Sequence, residues 1–170
     1  MDLITALAIS IGVLGGLATF LFLSPVGMGL SIWAAFIAWG SFYHCGGKVA
    51  GFQTSVLANL WGVLWGALTL AAVSKTGGAD ALGLPAWAGI CVAVGVGLMI
   101  LGSKLPRLSS IPAAVYGYAA VVALALLTNA PGSVGVPGLE NPAINVALSM
   151  IIGGALGLLS EHVVGLLTKS

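Results

Sequence analysis

Residues Leu30–Gly66 read LSIWAAFIAWGSFYHCGGKVAGFQTSVLANLWGVLWG, and this stretch decides the fold. Two apolar runs flank a Gly46-Gly47 break. Four of the five tryptophans lie here, with the adjacent His44-Cys45 pair, a lone Lys48 and an asparagine, Asn59, set deep in the second run. Crossing about 30 Å of hydrocarbon takes roughly 20 apolar residues as a helix. The stretch therefore reads as two membrane-crossing helices joined by a tight polar corner, with an aromatic and partly polar interior.

The rest of the chain agrees. Of 170 residues 59% are hydrophobic and 5% charged, with a mean hydropathy of +1.16. A soluble domain carries roughly 25% charged residues to face water, so lipid is the solvent for most of this surface. A net charge of +1 offers nucleic acid no electrostatic footprint. Cys45 and Cys91 fall in different apolar segments and do not suggest a disulfide framework. The 26 glycines lie mostly inside apolar runs, as close packing of membrane helices requires. The opening MDLITALAIS has no positive n-region and no clear cleavage site before Pro25, so it reads as a retained first helix.

The expected fold is an all-α membrane protein: one transmembrane domain, 1–170, with spans near 3–23, 25–43, 51–73, 84–102, 111–128 and 143–163. Pro25 would open the second span at its first turn, where a missing N–H does no harm. With six spans Lys48, Lys104, Arg107 and Lys169 fall on one side and Lys75 on the other. Basic residues are held in the cytoplasm, which puts both termini there. Small residues recur four apart in the first helix (Ala8, Gly12, Gly16) and the fourth (Gly89, Ala93, Gly97), and these faces are expected to pack closely. Pro25 and Pro112 would open the second and fifth helices, and Gly62 and Gly66 match Gly153 and Gly157. Two inverted three-helix repeats would explain the pattern, as in many transporters. Chance recurrence of small residues at ordinary packing positions is the competing account.

In LSIWAAFIAWGSFYHCGG and NLWGVLWG the chain resembles the small bacterial membrane proteins grouped as domain of unknown function family 1097. Leu30, Ser31, Trp33, Ala34, Phe36, Phe42, Gly46 and Gly47 carry the resemblance, then Gly62, Val63 and Trp65. SSIPAAVYG, around Pro112, is similar to the family's second landmark. The resemblance implies a bacterial inner-membrane protein and brings no site residues with it.

A polar group in hydrocarbon costs several kcal/mol unless paired, so it is a candidate for function. Asn59 shares a helix face with Phe52, Ser55, Gly62 and Gly66. It either lines a narrow path or bonds a neighbouring helix as glue. Trp33, Phe36 and Trp61 are candidate walls of an aromatic constriction passing small planar neutral molecules; packing is the alternative for each. His44 is a candidate gate because histidine titrates near neutrality, against a solvated loop residue. With His162 and Cys91 the only other soft ligands beside His44 and Cys45, no metal site is expected. Glu161 and His162 read as an interfacial pair. No catalytic constellation and no cofactor site stand out.

The expected function is a passive channel or facilitator for a small, mostly uncharged solute of urea or amide size, not an enzyme. Its solute site would comprise Asn59, Ser55, Trp33, Phe36 and Trp61, with membrane lipids and further copies of the chain as partners. The alternative is a non-transporting membrane protein that binds a lipid or protein partner.

Overall fold

A computed structural model describes residues 1–168; Lys169, counted above among the basic residues on one side, lies outside the described residues, as does Ser170. The described residues form helices α1 (Leu3–Leu23), α2 (Ile32–His44), α3 (Lys48–Lys75), α4 (Gly78–Leu82), α5 (Leu84–Gly102), α6 (Ile111–Leu127) and α7 (Pro142–Thr168), with no strand. Four of them, α1, α3, α5 and α7, are long and apolar enough to cross a membrane, and α6 is a shorter apolar helix. The architecture is consistent with a multi-pass membrane protein.

Asp2 opens α1: its carboxylate accepts from the Thr5 amide at 3.0 Å and the Thr5 hydroxyl at 2.6 Å. Those bonds, the hydroxyl's foremost, hold the Asp2 carboxyl below its ordinary value.

The second helix differs from expectation. Pro25 opens only a 3-10 turn, Pro25–Gly27, and α2 starts at Ile32 and runs 13 residues. The local geometry explains the delay. Gly27 lies so close to Phe22 that a Cβ would overlap its carbonyl. Met28 (φ 50°) and Gly29 (φ 79°) then turn through the left-handed region, which interrupts the helical hydrogen-bond ladder. At 1.5 Å per residue α2 is about 20 Å long, short of the hydrocarbon thickness. Elsewhere α3 and α7 extend beyond the expected spans at both ends, and the loop expected after α3 contains the short α4.

The longest helices, α3 and α7, pack on each other at the centre. α6 lies against α3 and α2 against α7, while α1 rests on α7 and α5 on α3. Glycine sets the two tightest seams. A Cβ at Gly62 would overlap the Ala114 carbonyl, and one at Gly117 the Asn59 carbonyl, so α3 and α6 meet backbone to backbone. On the other side a Cβ at Gly153 would overlap the Ala35 carbonyl of α2. Such approach replaces the hydrophobic drive that lipid removes.

The expected packing of the first helix on the fourth is overturned. α1 and α5 share no seam, and Gly12, Gly16, Gly89 and Gly97 each face open space. Those small faces belong to the broad apolar surfaces that α1 and α5 expose, with Val13 and Phe20 on one and Val94 and Leu101 on the other.

The helix ends sort into two groups. The Met1 amine donates to Leu167 O at 3.3 Å, and the Cys45 thiol to Ser110 Oγ at 3.4 Å. Met1 and the last described turn of α7 therefore share an end with the α2–α3 and α5–α6 connections, and with Lys48, Lys104 and Arg107. Lys75 lies beside Gly135 at the opposite end.

Candidate functional site

The polar residues of the interior come from three levels of the bundle. Near the middle of α3, Ser55 and Asn59 stand one turn apart and are fully buried. Ser41 of α2 completes the group. Its hydroxyl donates to Asn59 Oδ1 at 3.2 Å, Ser55 donates to Ser41 Oγ at 2.9 Å, and Asn59 Nδ2 donates to Ser55 Oγ at 3.4 Å. The three bonds run head to tail in a ring. Asn59 has a second N–H, and it meets no partner among the described residues.

Toward the termini, Ser160 of α7 gathers a second group. Trp39 Nε1 donates to its hydroxyl at 2.9 Å, while that hydroxyl donates to Gly157 O at 2.8 Å. With the Ser160 proton so engaged, Tyr43 is the donor across the 2.7 Å between the two hydroxyls. Ser10 of α1 adds a bond to Ser160 O at 2.9 Å. At the opposite end Asn145 of α7 ties down the start of α2. Its Oδ1 accepts from the Ser31 amide at 3.1 Å and hydroxyl at 2.9 Å, and its Nδ2 donates to Gly29 O at 2.9 Å. The Ser160 and Asn145 groups are satisfied within the protein, as burial away from water demands.

Of the expected site residues, the structure brings Ser55 and Asn59 together and places the others apart. Trp33 is half-buried against the apolar core, about two turns before Ser41. Phe36 is 42% exposed, stacks on Trp39 at 5.8 Å and meets α1 at Gly15. Trp61 turns to α5, where its Nε1 donates to Met99 O at 2.9 Å. His44 is exposed at the corner, edge-on to Tyr116 with ring centres 6.2 Å apart. The three rings thus meet different neighbours: the core, α1 and α5. Ser41, Ser160 and Asn145 went unremarked in the sequence; the one local hint was that each is a small polar residue within an apolar run.

Two further features surround this interior. A cavity of about 400 Å³ opens between α3 and α5, lined mainly by apolar groups including Trp65, Trp87 and Cys91. The Trp65 Nε1 is buried there without a partner among the described residues. At the corner, Gly46, Gly47 and Lys48 take φ of 92°, 67° and 58° in succession, and the Lys48 amide donates to Glu161 Oε2 at 2.7 Å. An α7 carboxylate thus caps the first turn of α3, where the helix dipole favours negative charge. No group of three or more candidate metal ligands occurs among the described residues.

No curated protein and no solved structure matches the chain. A family model does, over residues 8–165, nearly the whole length, and it takes in both tight seams and all three polar groups. The chain belongs to the family described as "Protein of unknown function (DUF1097)".

Proposed function

We propose that the protein is a facilitator for a small, mostly uncharged solute of urea or amide size, crossing the bacterial inner membrane six times with both termini in the cytoplasm. The observation that carries this reading is the Ser41–Ser55–Asn59 ring. It lies in the first half of α3, where α2, α3 and α6 meet, and one amide N–H remains unspent. An amide or urea carbonyl could accept that N–H while its own N–H groups replace bonds of the ring. The ring is closed here, so passage requires the helices to part around it. The chemistry is binding and release, with no covalent step.

Support for two inverted halves comes from the packing. Ser31-Ile32-Trp33-Ala34-Ala35 opens α2 and Ser110-Ile111-Pro112-Ala113-Ala114 opens α6. The Ala35 carbonyl faces Gly153 of α7, and its counterpart in Ala114 faces Gly62 of α3. One helical step on, Gly157 meets Phe42 and Gly66 meets Val121, again at corresponding positions. The partner of Pro25 in this scheme is Pro106, since each leads a 3-10 turn between helices; Pro112 lies inside α6. Inverted repeats place the substrate at their interface; the ring belongs to the first half and abuts α6 of the second, where Gly117 meets the Asn59 backbone. Orientation rests on Lys48, Lys104 and Arg107 at the end shared with the termini, against Lys75. Homo-oligomers would form through the exposed glycine faces of α1 and α5.

A swelling assay on proteoliposomes with urea, acetamide and glycerol tests the reading. Wild-type vesicles should swell faster than protein-free ones with at least one solute, and Asn59→Leu should slow them. Wild-type vesicles no more permeable than empty ones to all three solutes overturn it. The cavity between α3 and α5 favours the second reading, a non-transporting protein that holds a lipid or protein partner. An Asn59→Leu protein that melts lower yet leaves an already empty-vesicle permeability unchanged is the outcome of that reading.

A further inference from the structure

A second cleft, of about 490 Å³, lies between the first turns of α3 and the α5–α6 connection. Its floor is Phe52, Val56 and Leu57, and its rim is Gln53, Thr54 and Arg107. All three rim side chains are without a hydrogen bond or ion pair among the described residues. For Thr54 this is unusual within the protein. Thr19, Thr69, Thr76, Thr128 and Thr168 each donate to the carbonyl four residues back, and Thr5 bonds Asp2. Arg107 likewise meets no carboxylate among the described residues. At this end Glu161 is engaged with the Lys48 amide and Asp2 with Thr5. Asp80 and Glu140 belong to the opposite end, beyond α3 and before α7.

Depth makes the arrangement specific. Gln53 is five residues into α3, about 8 Å from Lys48 along the axis, the level of a lipid's phosphate and glycerol if Lys48 marks the membrane surface. A guanidinium, a primary amide and a hydroxyl line the cleft together with apolar side chains. Five guanidinium donors suit the oxygens of a phosphodiester, the amide and hydroxyl suit a glycerol ester, and the floor suits an acyl chain. Lys104, in the same connection, adds positive charge. We propose that this cleft binds one anionic phospholipid through its headgroup, with Arg107 on the phosphate and Gln53 and Thr54 on the glycerol region. The site lies on other faces of the same stretch of α3 that carries Ser55 of the ring, and lipid would occupy it whether or not the interior conducts.

Native mass spectrometry of the full chain released from detergent micelles, titrated with phosphatidylglycerol or phosphatidylcholine of identical acyl chains, tests the site. Phosphatidylglycerol should be retained preferentially. Arg107→Gln should weaken it about five-fold, the factor one basic residue contributes at an anionic surface, and Lys75→Gln at the opposite end should not. If Arg107→Gln fails to fold, the double change Gln53→Leu with Thr54→Val carries the test, and it should also reduce retention. Equal retention of the two lipids, or preference unchanged in the variants, overturns the proposal. Displacement of the lipid by millimolar inorganic phosphate alone would show a phosphate-ion site and overturn it equally.

Discussion

Asn59 was legible as a buried, hydrogen-bonded residue because an amide in hydrocarbon must find a partner. Its partner was not legible. Ser41 is reached only through the corner at Gly46–Lys48, whose three left-handed residues set the register of α2 on α3, and hydropathy holds no record of that register. Asn59→Leu removes two bonds of the ring and leaves the Ser41 and Ser55 hydroxyls short of partners. At about 0.6 kcal/mol per such bond in membranes, the variant should lose roughly 1 kcal/mol, read as a lower melting temperature in mild detergent. Ser41→Ala should cost a similar amount, and the double variant less than the sum, because the two share a bond. Strict additivity would show that the ring is not a unit. Glu161 is a parallel case: read from sequence as an interfacial pair with His162, it also caps α3 from another helix, a role the sequence did not show. Glu161→Ala should destabilise by about 1 kcal/mol, as loss of a helix cap does, while Glu161→Gln, which keeps an acceptor for the Lys48 amide, should lose less.

At the scale of elements, hydropathy located apolar segments well and could not tell inward glycine from outward glycine. The four-residue spacing in α1 and α5 looks the same as that in α3 and α7, yet only the latter pair meets backbone. Gly62→Ala and Gly153→Ala should each cost roughly 1–3 kcal/mol, since the added methyl meets a carbonyl that cannot retreat without moving a helix. Gly12→Ala should leave the isolated protomer within about 0.5 kcal/mol of wild type. A Gly62→Ala protein that melts with wild type would show that α3 and α6 are not in contact as described. The length of α2 was misjudged for a related reason. A Pro at the head of an apolar run suits a helix start, but Met28-Gly29 imposes left-handed backbone soon after it, and α2 begins only beyond Ser31, whose amide and hydroxyl are held by Asn145 of α7.

For the whole molecule, the basic residues and the helix ends give the same partition, with Lys75 alone opposite Lys48, Lys104 and Arg107. Reporter fusions at residue 170 and within the 129–142 connection should report opposite compartments, the C-terminal one cytoplasmic. The same compartment for both would rule out the six-span arrangement. Little of the molecule's central organisation was visible locally, because the seams that hold it join α2 to α7 and α3 to α6, and only the chain's path brings those pairs together.

That path has a consequence for how the protein is made. Ser31 bonds residues 114 and 118 positions further along the chain. At 5–20 residues per second, the ribosome reaches Asn145 on the order of ten seconds after Ser31. Throughout that interval the first turn of α2 is without its anchor and the Ala35 carbonyl face is uncovered. Nascent chains stalled before Pro142 should therefore leave residues 25–44 open to protease or to cysteine labelling introduced there, and release of α7 should close them in one step.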